Sequence, residues 1–148
     1  MDLRILEIAS NTENNKILYK HTHKPKNKNP MCGDEMEISL LVKNNKVIDM
    51  GYQCKSCIYC QASVSLLSQN IKNKKLEEIK DLVNTCEDIF ENTKIILEKK
   101  WLNFKEIFNK KNISRKECSS CLRSTTCTSV GVEISKVTKS APLSAYKY

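Results

Sequence analysis

Three short stretches of the 148-residue chain carry residue types that hold soft metals or sulfur. The first is Asn29-Pro30-Met31-Cys32-Gly33-Asp34, where one glycine separates a thiol from a carboxylate. The second is Cys54-x-x-Cys57-x-x-Cys60, and the third is Arg115-Lys116-Glu117-Cys118-x-x-Cys121. Zinc takes four tetrahedral ligands from Cys, His and carboxylate. Cys32, Asp34, Cys57 and Cys118 could supply three sulfurs and one oxygen. Iron–sulfur clusters are held chiefly by thiolates, and an oxygen among them makes the cluster easier to exchange. Cys54, Cys60 and Cys121 are alternative ligands. Cys57-x-x-Cys60 and Cys118-x-x-Cys121 form a CxxC pair, a strong zinc signal, though Cys60 and Cys118 lie far apart for a zinc ribbon. The run from Cys54 opens like a ferredoxin motif, but Val64-Ser65 stand where its Cys-Pro belongs, which argues against a permanent electron-transfer cluster.

The composition narrows the setting. The Met1-Asp2-Leu3-Arg4-Ile5-Leu6-Glu7 start has no apolar core of a signal peptide, and no run reaches the ~18 apolar residues of a membrane span. A cytoplasmic protein is expected. Eight cysteines in a reducing compartment point to metal or sulfur chemistry rather than disulfides. Seven of them, Cys127 included, fall in or near the three stretches. Cys86 stands apart and reads as a packing residue. The net charge of +8 arises from 25 Lys and Arg against 17 Asp and Glu. These lysines are scattered and aromatics make up only 6% of the chain, so the charge reads as a solvated surface rather than a nucleic-acid platform. His21 and His23 read as solvated, with no cysteine near them in sequence.

The elements that must position these residues follow from periodicity. A short helix is expected over about 2–10, then a polar loop over 11–28 with a helical piece near 16–19. Residues 37–42 and 47–52 read as strands joined by Lys43-Asn44-Asn45-Lys46, a polar tight turn. This hairpin would set Cys32-Gly33-Asp34 beside Cys54 and Cys57, because the two open ends of an antiparallel pair are neighbours. A helix starting near 57–59 would aim its amides at the cysteines and favour thiolate. Its small residues Ala62, Ser63 and Ser65 would let it pack closely on the sheet. A break at 72–75, a helix at 76–83, and a third helix capped by Thr85 and running to about 109 complete the core. Residues 1–123 read as one domain and 124–148 as a Ser/Thr-rich, loosely ordered tail.

The combination Asn29-Pro30-x-Cys32-Gly33-Asp34, Cys57-x4-Ala62-Ser63-x-Ser65 and Arg115-x-x-Cys118 resembles the U-type iron–sulfur cluster scaffolds, the IscU, SufU and NifU N-terminal group. The long stretch between Cys57 and Cys118, and Glu117 where IscU has His, look closer to SufU. The resemblance implies an α+β fold, a small antiparallel sheet (the N-terminal hairpin) with helices packed on one face. It implies Cys32, Asp34, Cys57 and Cys118 as ligands of Zn2+ or of a [2Fe-2S] or [4Fe-4S] cluster. It makes Cys32 the acceptor of persulfide sulfur from a cysteine desulfurase, with Arg115 assisting, and makes apo iron–sulfur proteins the recipients. The chain would then be a scaffold or a zinc-dependent sulfurtransferase rather than a turnover enzyme, acting as a monomer or transient dimer. Three features depart from the family pattern, one being a tail after Cys121 that does not look like the family's amphipathic closing helix. Cys54 and Ser56 replace the usual glycines before Cys57, and Cys60, Cys121 and Cys127 are extra. The other reading of the residues is a zinc-stabilised binding module without sulfur transfer.

Overall fold

The computed structural model describes residues 3–28, 33–92 and 97–108. Its elements are α1 (Leu3–Ser10), β1 (Lys26–Lys28), β2 (Glu35–Lys43), β3 (Lys46–Lys55), α2 (Ile58–Asn70), α3 (Leu76–Asn92) and a 3-10 segment (Lys99–Glu106). The three strands form one antiparallel sheet in the order β1-β2-β3, and the architecture is α+β.

The β2–β3 hairpin forms because both of its faces and its turn agree. Met36, Ile38, Leu40 and Val42 alternate along β2 and are all buried, as a half-buried strand requires. Asn44 and Asn45 both adopt positive φ, 50° and 61°, between the paired Lys43 and Lys46. That is the two-residue hairpin turn whose twist matches the strands, and asparagine tolerates it better than most residues. A bulge between Leu41 and Val42 shifts the register. Val47 and Met50 both face the core as a result, and Ile48 is turned outward.

The sheet is wider than the sequence suggests. The stretch read as a loop over 11–28 includes β1, and His23 and Pro25 extend its backbone pairing along β2. No helical piece forms near 16–19. Instead the Asn14 carbonyl accepts from the Tyr52 amide, and the Leu18 amide donates to Ser39 Oγ at 2.9 Å. Gly51 is required at this crossing, because a Cβ there would overlap the Lys16 carbonyl oxygen.

Helix α2 is the central element. Nine of its residues are buried, among them Ala62, Val64, Leu66 and Leu67, so it is covered on more than one face rather than along a single stripe. Two of its small polar residues are satisfied by neighbours: Ser65 Oγ donates to the Asn11 carbonyl, and Asn14 Nδ2 donates to Ser68 Oγ. Helix α1 packs on it through buried Ile5 and Ala9.

The helix at 76–83 does not stop there. α3 continues to Asn92, and Thr85 is an interior residue whose hydroxyl donates to the Asp81 carbonyl. The expected third helix is therefore two different things: the end of α3, and the 3-10 segment that buries Trp101 and Phe104. Their rings meet edge to face at 6.0 Å. Each such large side chain taken from water is worth about 1.5–3 kcal/mol, which anchors this segment to the core.

Candidate metal centre

The site lies at the open end of the hairpin. Glu35 and Lys55 form the last pair of the β2–β3 ladder, so Asp34 just before β2 and Cys57 just after β3 are brought side by side. Gly33 precedes Asp34 with φ of +76°, a left-handed conformation that costs glycine least. Asp34 Oδ2 accepts a hydrogen bond from the Cys57 amide at 3.3 Å. Cys57 is the extended N-cap residue of α2, with φ −64° and ψ 163°. The Gln61 side chain holds the approach by donating to the Ser56 carbonyl at 3.0 Å. Cys60 follows in the first turn of α2 and is fully buried.

One turn of helix returns Cys60 to the side of Cys57. A carboxylate oxygen of Asp34 and the sulfurs of Cys57 and Cys60 all lie within 4.8 Å of one another. Donors in a tetrahedron with ~2.3 Å bonds sit about 3.8 Å apart, so side-chain rotation of about 1 Å would close these three on one ion. One oxygen and two sulfurs suit zinc or iron. Among the described residues they are the only such group found.

The electrostatics separate the second stretch into unlike thiols. Cys57 is drawn down to about 6, first by the Cys60 side chain and then by the backbone N–H groups of Cys60 and Tyr59 at the head of α2. Burial and the Asp34 charge oppose this. Cys54 is pushed above its ordinary value, mainly by burial, and also by the negative charges of Asp34 and Cys57. It sits within β3 opposite Met36, not in the loop that follows the strand.

Of the residues singled out in the sequence, Asp34, Cys57 and Cys60 converge. Cys54 is close enough to feel the charges of Asp34 and Cys57 but is not part of the three-donor group. Cys32, Arg115, Cys118, Cys121 and Cys127 lie outside the described residues, as does the tail. Cys60 ranks higher here than the sequence placed it. Its signal was the CxxC spacing itself, which at a helix start puts both thiols on one end. Cys86 is a buried core residue of α3. His21 is exposed, with Nδ1 3.1 Å from the Leu18 carbonyl, and His23 joins the sheet through its backbone. Neither joins the donor group.

The fold is found in known proteins. Residues 3–110 match the family model of the NifU-like N terminal domain. A 60-residue stretch, 40% of this chain and 42% of the relative, is 37% identical to the iron–sulfur cluster assembly scaffold protein IscU of Thermotoga maritima. A 50-residue stretch, 34% of this chain and 33% of the relative, is 38% identical to IscU 1 of Archaeoglobus fulgidus. The chain thus spans less than half the length of these curated relatives. In three dimensions it resembles the N-terminal NifU-like protein of Brucella abortus, with a TM-score of 0.81 at 20% identity over 95% of each chain. It also resembles the SUF-system iron–sulfur cluster assembly scaffold of Fervidobacterium islandicum, with a TM-score of 0.78 at 17% identity over 89% of this chain and 94% of the other. The match over most of its length makes the conclusion direct: this chain belongs to the NifU-like N-terminal domain family.

Proposed function

We propose that this protein is an iron–sulfur cluster assembly scaffold of the U type, on which a labile cluster is built and then passed on. The observation that carries this reading is the convergence of Asp34, Cys57 and Cys60 at the head of α2. A cargo site must bind firmly enough to assemble a cluster and loosely enough to release it. Two thiolates provide soft donors, and the Asp34 carboxylate provides a hard, exchangeable one. The low thiol pKa of Cys57 keeps it ready as a thiolate at neutral pH.

In the finer reading, closest to the SufU branch, Cys32 accepts sulfur from a cysteine desulfurase. Its thiolate attacks the outer sulfur of the desulfurase persulfide, and the desulfurase thiolate departs. Gly33 is the joint that lets Cys32 reach out while Asp34 stays at the site. Cys118 completes the ligand set, and Arg115 assists the exchange of ligands. Resident zinc holds the site between rounds, and a [2Fe-2S] or [4Fe-4S] cluster is the cargo. Apo iron–sulfur proteins receive it in the cytoplasm. Residues 1–123 form the working domain, and residues 124–148 are a tail outside it.

Anaerobic incubation with ferrous iron, cysteine, a cysteine desulfurase and a thiol reductant tests this. A visible cluster chromophore should form and move to an apo-ferredoxin. Cys32→Ser should fold and lose the persulfide mass increment. A chain that takes up zinc but neither accepts sulfur nor forms a chromophore would contradict the proposal and fit a zinc-stabilised module.

A further inference from the structure

Cys57 and Cys60 also form a dithiol. They flank Ile58-Tyr59 at the first turn of a helix that directly follows a strand, and their sulfurs lie within 4.8 Å. Both are reduced. Residues three apart at a helix start have Cα atoms about 5–6 Å apart, inside the span a disulfide bridges. Their exposure differs: Cys57 is half-buried, while Cys60 is fully buried behind it. Of the two, Cys57 is the one open to an incoming sulfur, and Cys60 is placed to act on what Cys57 holds. CxxC dithiols that exchange disulfides have this same division between an attacking and a resolving thiol.

We propose that Cys57 and Cys60 resolve a persulfide carried on Cys57 into sulfide, so that the chain itself reduces the sulfur it receives. This rests on the reading that sulfur reaches the site as a persulfide. The step balances without another reactant. The Cys60 sulfur attacks Cys57 Sγ, the Cys57–Cys60 bond forms, and the bond from Cys57 to the outer sulfur breaks. The outer sulfur leaves with the electron pair as hydrosulfide, reduced by two electrons, and the two cysteines are oxidised to a disulfide. The proton of Cys60 ends on the departing sulfur. The Asp34 carboxylate, within 4.8 Å of both cysteine sulfurs, is placed to carry it. An external dithiol reductant returns the pair to its starting state. The disulfide also removes two of the three metal donors, so sulfide release and an open site coincide.

The test is a single turnover of the metal-free, pre-reduced full chain with cysteine persulfide and no added reductant. Sulfide is measured, and disulfides are mapped by peptide mass. The wild-type chain should release sulfide in step with a Cys57–Cys60 disulfide, and Cys54→Ser should do the same. Cys60→Ser should hold the persulfide on Cys57 and release no sulfide above that of Cys57→Ser. Cys60→Ala, checked with Cys60→Ser for native circular dichroism, guards against misfolding, and mapping the wild-type disulfide requires no variant. Persistent persulfide on wild-type Cys57, a disulfide to another cysteine, or undiminished release from Cys60→Ser would overturn the proposal. Because the donor is a small persulfide, a failure here leaves desulfurase-driven cluster assembly intact. A failure of that assembly with success here would instead remove the scaffold reading and keep the dithiol chemistry.

Discussion

Cys54 and Cys57 stand three residues apart, yet the end of β3 and the head of α2 make different groups of them. Cys54 is held in a β ladder opposite Met36, where burial dominates and raises its thiol pKa. Cys57 sits where a helix opens, beside Cys60 and facing the unpaired amides of the first turn, and its thiol falls to about 6. Both feel the same Asp34 charge in the same direction. The contrast therefore comes first from the Cys60 side chain beside Cys57 and the burial of Cys54, and then from the backbone around each sulfur. A strand consumes its N–H groups in pairing, whereas a helix start leaves them free to stabilise an anion.

The largest effect that could break this contrast is on metal affinity. Cys57→Ser and Cys60→Ser should each weaken zinc binding by roughly 100-fold or more, beyond the ~10–100-fold cost of losing a supporting group around a metal. Cys54→Ser should change it by less than about 10-fold. Competition against a chromophoric chelator measures all three.

The sheet side can be damaged separately. Gly51→Ala forces a Cβ into the Lys16 carbonyl and should cost about 2 kcal/mol or more, by the measure of an overpacked core. Gly33→Ala meets no atom within 4 Å but must hold φ of +76°, a cost of about 1 kcal/mol. Urea melts should rank them in that order. Only Gly33→Ala should also weaken metal binding, because it displaces Asp34.

Thiol reactivity in the metal-free protein sharpens the contrast further. Alkylation of Cys57 should rise with pH through a midpoint near 6, and that of Cys54 through a midpoint above the ordinary thiol value. The lowered pKa also has a sign for stability. Cys57 contributes stability that is full above the unfolded thiol value of about 8.5 and is lost as pH falls through about 6. The smallest expected effect belongs to Asp34→Asn. Removing its charge should move both alkylation midpoints down, since Asp34 raises both.

Much of the framework was legible because several local signals agreed. The hairpin had alternating apolar residues and an Asn-Asn turn, and its geometry joins Asp34 to Cys57. The strand β1 was hidden because Lys26-Asn27-Lys28 has no apolar residue. It is an edge strand held by backbone pairing and by the ion pair of Lys28 with Glu35. The continuity of α3 was hidden because Asn84-Thr85 look like a break, while the Thr85 hydroxyl satisfies itself inside the helix. Cys60 was visible as a thiol, but its rank depends on which element each sulfur sits on. Spacing treats Cys54, Cys57 and Cys60 as equals, and the fold pairs the latter two.

Cobalt(II) substitution tests the central claim most directly, because thiolate-to-cobalt charge-transfer bands count the sulfurs on the ion. Cys57→Ser and Cys60→Ser should each lose intensity in those bands, and Cys54→Ser should match the wild-type spectrum. A spectrum that loses a thiolate with Cys54→Ser and keeps it with Cys60→Ser would contradict the Asp34, Cys57 and Cys60 centre.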